Sequence, residues 1–369
     1  MSISIWEKTS YYRDRNFIVV GAGFTGLWTA LELKKEYPEK SVLVLEKNHI
    51  PQGASSRNAG FACFGSMSEL WEDAQIMGWD ASLALVEHRL KGLNKIRSYF
   101  PAEIIDFEMC GGYELIDTYF AENHLVEVNG KIAEITGTSE TFSFIPEKKA
   151  QFGIDYDGSV LYNAQEGYLH PGKLLQSLTA ECQKMGIEFL FGNELLAIQD
   201  STSAVNLQTT ACHLRCQTLI LCTNAYTGQL LPEIDLLPAR GQILLTEPIP
   251  SLKIKGAFHF DRGYCYFRDW QGRLLLGGAR NLNKKAETSL DLVTTSEIQS
   301  HLEKFLQEVL LPNQQVKIAH RWSGIMAMGS TKSPIVQQFS ENIYGGVRLS
   351  GMGVALAPII AEKIISLLT

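Results

Sequence analysis

The chain has 369 residues, 45% hydrophobic and 20% charged, enough to bury a sizeable core and, by length, to form about two domains. That balance excludes an intrinsically disordered or collagen-like chain. A net charge of -7 and a pI near 5.7 remove any general attraction to phosphate backbones or anionic lipid, which disfavours a nucleic-acid role.

No run reaches the ~20 apolar residues that span a bilayer. Residues 1–15 are polar and aromatic and lack the apolar core of a secretory leader, so the expected location is the cytoplasm. The seven cysteines, at 63, 110, 182, 212, 216, 222 and 265, are scattered and form no Cys-x-x-Cys pair. They read as reduced, mostly buried small side chains rather than ligands of a metal.

In chain order, residues 16–20 form a short apolar strand that runs into Gly21, Ala22, Gly23, Phe24, Thr25 and Gly26 and then a helix ended by Pro38. Residues 41–45 are a second buried strand with Glu46 and Lys47 at its end, which completes a parallel βαβ unit. Residues 68–100 carry Leu83, Val86, Leu90, Leu93 and Ile96 at helical spacing and end at Pro101. Strands are expected over 104–116 and a helix over about 118–135.

After residues 160–171 the chain becomes helical over 172–185 and strand-like over 187–190 and 195–199. The apolar strand 218–222 then feeds a turn through Thr223, Asn224 and Ala225. Residues 237–277 are β-rich, with strands over 242–246, 263–268 and 273–276. A helix over 291–310, strands over 316–322 and 343–349, and a final helix over 354–368 follow. The expected fold is α/β plus α+β: a Rossmann-like nucleotide domain from residues 1–80, 160–237 and 323–369, with a mixed antiparallel-sheet domain from 81–159 and 238–322 inserted into it.

The glycines at 21, 23 and 26 match Gly-x-Gly-x-x-Gly between a strand and a helix. The first permits the tight turn, the second lets a pyrophosphate approach the backbone, and the third lets helix pack on strand. Glu46, 20 residues past Gly26, stands where a carboxylate can accept hydrogen bonds from ribose hydroxyls. This pattern predicts a dinucleotide and does not choose between FAD and NAD. Gly53, Ala54, Ser55, Ser56, Arg57, Asn58, Ala59 and Gly60 form a second small-residue segment along which a backbone can run close to a ligand; a capped polar loop explains it equally simply. Gly351, Met352, Gly353 and Val354 open the last helix, whose positive end could face a ligand edge that becomes anionic.

These segments, with Ser10 to Tyr12, His170-Pro171, Thr223 to Tyr226, residues 273–278, Arg321 to Gly324 and residues 350–354, occur in an order that resembles one family. It is that of the FAD-dependent amine and amino-acid oxidoreductases (the DAO family), which includes the D-amino-acid, glycine and monomeric sarcosine oxidases. The gamma-glutamylputrescine oxidase-like branch is the most similar in look. The resemblance implies FAD as cofactor, with Gly21 to Gly26, Glu46, Lys47, Gly53 to Gly60, Asn224, Ala225, Gly324 and Gly351 to Val354 around it.

It also implies hydride transfer from the carbon beside an amine nitrogen to flavin N5, hydrolysis of the resulting imine, and a small-molecule amine substrate with oxygen or a quinone as acceptor. Met326 falls where relatives place a carboxylate-binding arginine or a flavin-linking cysteine, so FAD is expected to be noncovalent and a simple α-amino acid is disfavoured as substrate. Leu275 falls where sarcosine oxidases have a lysine that assists the reaction with oxygen. Tyr264, Tyr266 and Arg268, two apart on an expected strand, are candidates for the substrate pocket, with Arg268 as a carboxylate ligand. A solvated strand face is the plain alternative for these three, and buried core or fold support is the plain alternative for His259, Trp322, His170 and Glu166. Two other functions stay open: an FAD enzyme acting on a modified RNA base, and a flavin-binding protein without catalysis.

Overall fold

The computed structural model describes residues 3–369; Met1 and Ser2, at the head of the expected first segment, lie outside the described residues. The chain divides into two compact units, one of residues 1–56, 172–238 and 326–369, the other of 57–171 and 239–325.

The first unit is built on a parallel sheet. Its strands lie in the order Ile335–Ser340, Ile343–Val347, His213–Leu221, Arg15–Val20, Val42–Leu45 and Glu188–Leu190. All neighbours are parallel except the first pair, and a hairpin, Leu195–Ser201 with Ala204–Thr209, joins the N-terminal half of His213–Leu221. Arg15–Val20 and Val42–Leu45 read as continuous apolar runs because central parallel strands are covered on both faces. One face packs Ile18, Val20, Leu43, Leu45, Leu219 and Leu221 together. Each fully buried Val, Leu or Ile of this set stabilises by about 1.5–3 kcal/mol. The helices Phe24–Glu36 and Gly353–Ser366 pack side by side.

The second unit is built on a mixed sheet in the order Ile318–Met328, Leu237–Thr246, Arg273–Gly278, Cys265–Trp270, Ala257–Phe260, Gly112–Ile116, Ser159–Asn163 and Ser143–Phe144. Neighbours from Leu237–Thr246 to Ala257–Phe260 are antiparallel, and a parallel pair joins Ala257–Phe260 to Gly112–Ile116. Strand alternation sends Phe258, Phe267, Leu274 and Leu276 to one face, where helix Ser296–Phe305 covers them through Ile298 and Leu302. The opposite face meets helices Met67–Met77, Trp79–Tyr99 and Thr118–Thr136 around Phe64, Met67, Val86, Ile132 and Leu161.

Several expectations need correction. Residues 57–80 and 160–171 belong to the second unit: Phe61–Ala62 pairs with Gly167–Tyr168, and Met67–Met77 packs on Trp79–Tyr99. The helix expected over 68–100 is two helices, because Gly78 adopts φ 82° between them. The strand expected over 263–268 is Cys265–Trp270, and that over 316–322 runs on to Met328. Residues 102–105 are a helical turn rather than strand. Among the described residues no helix is long and apolar enough to cross a membrane.

Candidate active site

In the first unit, strand Arg15–Val20 ends in a turn made by Gly21 at φ 105°. A Cβ on Gly21 would stand 2.7 Å from the Cys222 carbonyl oxygen, and one on Gly26 would stand 1.9 Å from the Gly21 carbonyl oxygen. Gly23 precedes the helix and faces Ser55, whose Oγ accepts from the Phe24 backbone N–H at 2.9 Å. The glycine spacing therefore reflects backbone packed too closely for side chains, next to the start of a helix.

Glu46 is buried at the end of the second strand. One carboxylate oxygen accepts from the Ala22 N–H at 3.0 Å and the other from the Asn48 N–H at 3.1 Å, which fixes the orientation of the group beside the glycine turn. Lys47 places its ammonium 3.5 Å from the centre of the Tyr226 ring. Asn224 adopts φ 45°, and its buried Oδ1 has no hydrogen-bond partner; Ala225 beside it is buried.

The approach to the last helix has the same character. Arg348, Ser350 and Gly351 all have positive φ, and the Ser350 Oγ is buried without a partner. Arg348 anchors the turn by donating to the Asp235 carboxylate and to the Ser333 carbonyl. A Cβ on Gly351 would meet the Met326 sulfur at 3.4 Å. The two buried polar atoms without partners, on Asn224 and Ser350, and the close-packed glycine turn fit a polar ligand such as a dinucleotide.

In the second unit, Arg57 donates to the Ser323 carbonyl, and its own carbonyl accepts from the Trp322 indole N–H, both at 3.0 Å. A Cβ on Gly324 would lie 3.1 Å from Arg57 Cβ, so the glycine lets this segment lie against the strand. Asn58 caps the turn at Gly60, whose φ of 79° brings it against the Leu169 carbonyl. Beyond it, Ala59, Phe61, Ile243, Leu245, Tyr266, Trp270, Leu275 and Trp322 form an apolar and aromatic wall. The Tyr266 ring lies across Gly277, where a Cβ would come within 2.6 Å of it, and Phe61 meets Tyr266 edge-on at 5.6 Å. Burial pushes the Tyr266 hydroxyl well above its ordinary pKa, so it stays a neutral phenol.

The expected trio is not one face. Tyr266 and Arg268 alternate onto the same side of their strand with Trp270, whereas Tyr264 lies in the preceding turn, with Arg280 and Lys284 near its ring. Arg268 is only 3% exposed. Its Nη1 donates to the Leu169 carbonyl at 3.1 Å and the Gly60 carbonyl at 3.4 Å, and its guanidinium stacks 4.0 Å from the Tyr168 ring centre. It braces neighbouring segments through Nη1, while its Nε is buried without a hydrogen-bond partner.

One group of residues went unrecognised in the sequence as a set. His259 Nε2 lies 3.0 Å from Glu166 Oε2, with Cys63 alongside, all buried. Burial alone would lower the His259 pKa, but the carboxylates of Glu166, Glu114 and Glu69 outweigh it and hold the imidazole above its ordinary value. Burial, reinforced by Glu166 and Glu69, pushes the Cys63 thiol well up. The three sit about a hundred residues apart in sequence, so no local spacing could unite them.

Known proteins match this architecture over nearly its full length. Glycine oxidase from Geobacillus kaustophilus superposes with a TM-score of 0.78 at 18% identity, covering 96% of this chain and 94% of that one. By sequence, the probable oxidoreductase OrdL of Haemophilus influenzae is 26% identical over 94% of this chain and 82% of its own length. The gamma-glutamylputrescine oxidoreductase of Escherichia coli is 24% identical over 95% and 82%. The family model of FAD dependent oxidoreductases, DAO, matches residues 16–367, and the chain therefore belongs to that family and is an enzyme that uses FAD.

Proposed function

We propose that the enzyme oxidises the C–N bond of a small amine, with a carbonyl compound formed after hydrolysis of the imine. The observation that carries the reading is the cluster of Phe61, Tyr266, Trp270, Leu275 and Trp322, which offers aromatic and aliphatic surface. Relatives named sarcosine oxidase subunit beta and gamma-glutamylputrescine oxidoreductase point to the same substrate class.

The features of the first unit fit FAD. Gly21, Ala22, Gly23, Phe24, Thr25 and Gly26 would take the pyrophosphate, Glu46 and Lys47 the ribose side, and Gly53 to Ser56, Asn224, Ala225 and Gly351 to Val354 the remaining polar edges. The family resemblance also assigns Arg57, Asn58, Ala59, Gly60 and Gly324 to FAD. When bound, FAD supplies a two-electron acceptor for hydride from the carbon beside nitrogen.

The chain's own task is orientation and exclusion of water. The amine must be neutral before hydride leaves, and an apolar wall disfavours its protonated form. The Tyr266 phenol can donate to a neutral amine or accept from it, and no side-chain base is needed. Arg268 is held at Nη1 by the Leu169 and Gly60 carbonyls, which disfavours an α-carboxylate as the anchor of the substrate. Met326 cannot form the thioether that a cysteine gives, so FAD is held noncovalently.

The test is dye-coupled turnover with polyamines, N-alkyl amines, amino acids, 2-hydroxy acids and glycerol phosphate, with the carbonyl product identified by mass spectrometry. Turnover of one or more amines lacking an α-carboxylate is expected. Turnover confined to hydroxy acids or glycerol phosphate would overturn the reading.

A further inference from the structure

The second unit contains a buried cluster that amine oxidation does not use. Cys63 follows strand Phe61–Ala62, Glu166 stands in the turn before Gly167–Tyr168, and His259 lies on Ala257–Phe260. The Cys63 sulfur, a Glu166 carboxylate oxygen and a His259 ring nitrogen all lie within 4.8 Å of one another, and among the described residues no other trio of metal-binding groups converges in this way. We propose that Cys63, Glu166 and His259 form a site for a divalent metal ion of the zinc type.

The donor set is thiolate, carboxylate and imidazole, the three side-chain ligands zinc takes. Nitrogen and oxygen ligands at about 2.0–2.1 Å from one tetrahedral ion stand roughly 3.3 Å apart. His259 Nε2 and Glu166 Oε2 stand at 3.0 Å, so a small outward shift admits the ion between them.

The ligands are also held from behind, as ligands of a built site are. The second oxygen of Glu166 accepts from the Phe64 N–H at 3.2 Å, and its backbone carbonyl accepts from the Gly111 N–H at 3.0 Å. Gly112 supplies the room: a Cβ there would fall 2.2 Å from Glu166 Oε2. His259 is set by its strand, since Phe258 and Phe260 turn to the opposite, apolar face.

The charge balance favours a cation as well. Glu69 and Glu114 lie beside the cluster, Arg89 is the permanent positive charge nearby, and burial pushes the Glu114 carboxyl up. Ser66 and Ser68 donate to Glu114 and keep it turned into this interior. A bound divalent ion would favour the ionised form of Glu114 and deprotonate the Cys63 thiol. Three protein ligands leave the fourth position to water, and the ion would tie together three segments far apart in sequence, behind the Phe61 and Tyr266 wall.

The test uses the intact flavoprotein. Chelator-treated wild type is incubated with zinc or cobalt(II), passed through gel filtration and assayed for metal per chain, alongside Cys63→Ser and His259→Gln. Wild type is expected to retain one ion per chain and both variants to lose it, with FAD content unchanged. Cobalt is expected to give ligand-field bands beyond the flavin absorption, together with a thiolate charge-transfer band that Cys63→Ser lacks. Should a variant fail to fold, the wild type alone decides: no stoichiometric zinc or cobalt, no cobalt bands and no metal-dependent rise in Tm would overturn the proposal, as would equal retention in folded variants. The trio would then be a hydrogen-bonded ion pair beside a thiol.

Discussion

Replacing Arg268 by leucine separates two roles that an arginine on this wall could have. The side chain is buried, donates to the carbonyls of Leu169 and Gly60, and stacks on Tyr168. Hydrogen bonds from a charged donor are worth about 1.5–3 kcal/mol each, and a desolvated cation over an aromatic ring about 2 kcal/mol. Against these stands the cost of keeping a guanidinium buried, visible as a pKa that burial lowers. The Gly60 carbonyl keeps its bond from the Leu169 N–H, so the Leu169 carbonyl is the acceptor left without its charged partner. A net loss of about 3 kcal/mol follows, and at about 3 °C per kcal/mol for a body of this size the Tm falls by roughly 9 °C. Circular dichroism melts of Arg268→Leu and wild type, with KM measured on the best amine, check this. An unchanged Tm together with a tenfold rise in KM confined to carboxylate-bearing substrates would refute the brace and restore the substrate-binding role.

Gly26→Ala is expected to purify without FAD and not to take it up, because the added Cβ falls 1.9 Å from the Gly21 carbonyl oxygen; the ratio of flavin to protein absorbance reads this directly. Glu287→Ala strands the buried Arg240, to which the carboxylate is bonded at 2.9 Å, and should cost about 3 kcal/mol in urea unfolding at pH 7. Burial would raise the Glu287 pKa, but Arg240, Gln242 and Thr295 outweigh it and hold it below 4.5. A depressed carboxyl pKa gives stability that is full above the unfolded value and lost as pH falls through the folded one, so the gap between wild type and Glu287→Ala should close in acid below about pH 4.5. A gap that widens in acid would contradict the assignment. Acid precipitation should leave the yellow colour in the supernatant, and colour retained in the pellet would mean covalent flavin.

The βαβ turn was legible because its signal is local: strand, three glycines, helix, second strand and acid stand in one stretch. The division into units was legible only coarsely. Residues 57–80 and 160–171 look like a continuation of the α/β pattern, but their partners, Phe61 with Tyr168 and Ala62 with Gly167, lie about a hundred residues apart. Spacing along Cys265–Trp270 put Tyr266 and Arg268 on one face, yet could not tell that Arg268 donates to two carbonyls through Nη1 or that Tyr264 falls in a turn. The His259, Glu166 and Cys63 cluster is wholly a product of tertiary structure.

Amine oxidation is tested most directly by mixing the purified holoenzyme with amines in the absence of oxygen and following the flavin absorbance. At least one amine without an α-carboxylate is expected to bleach the flavin completely in a single turnover, with one equivalent of carbonyl product. A flavin bleached by no amine, and reduced instead by a hydroxyl-bearing substrate, would contradict it.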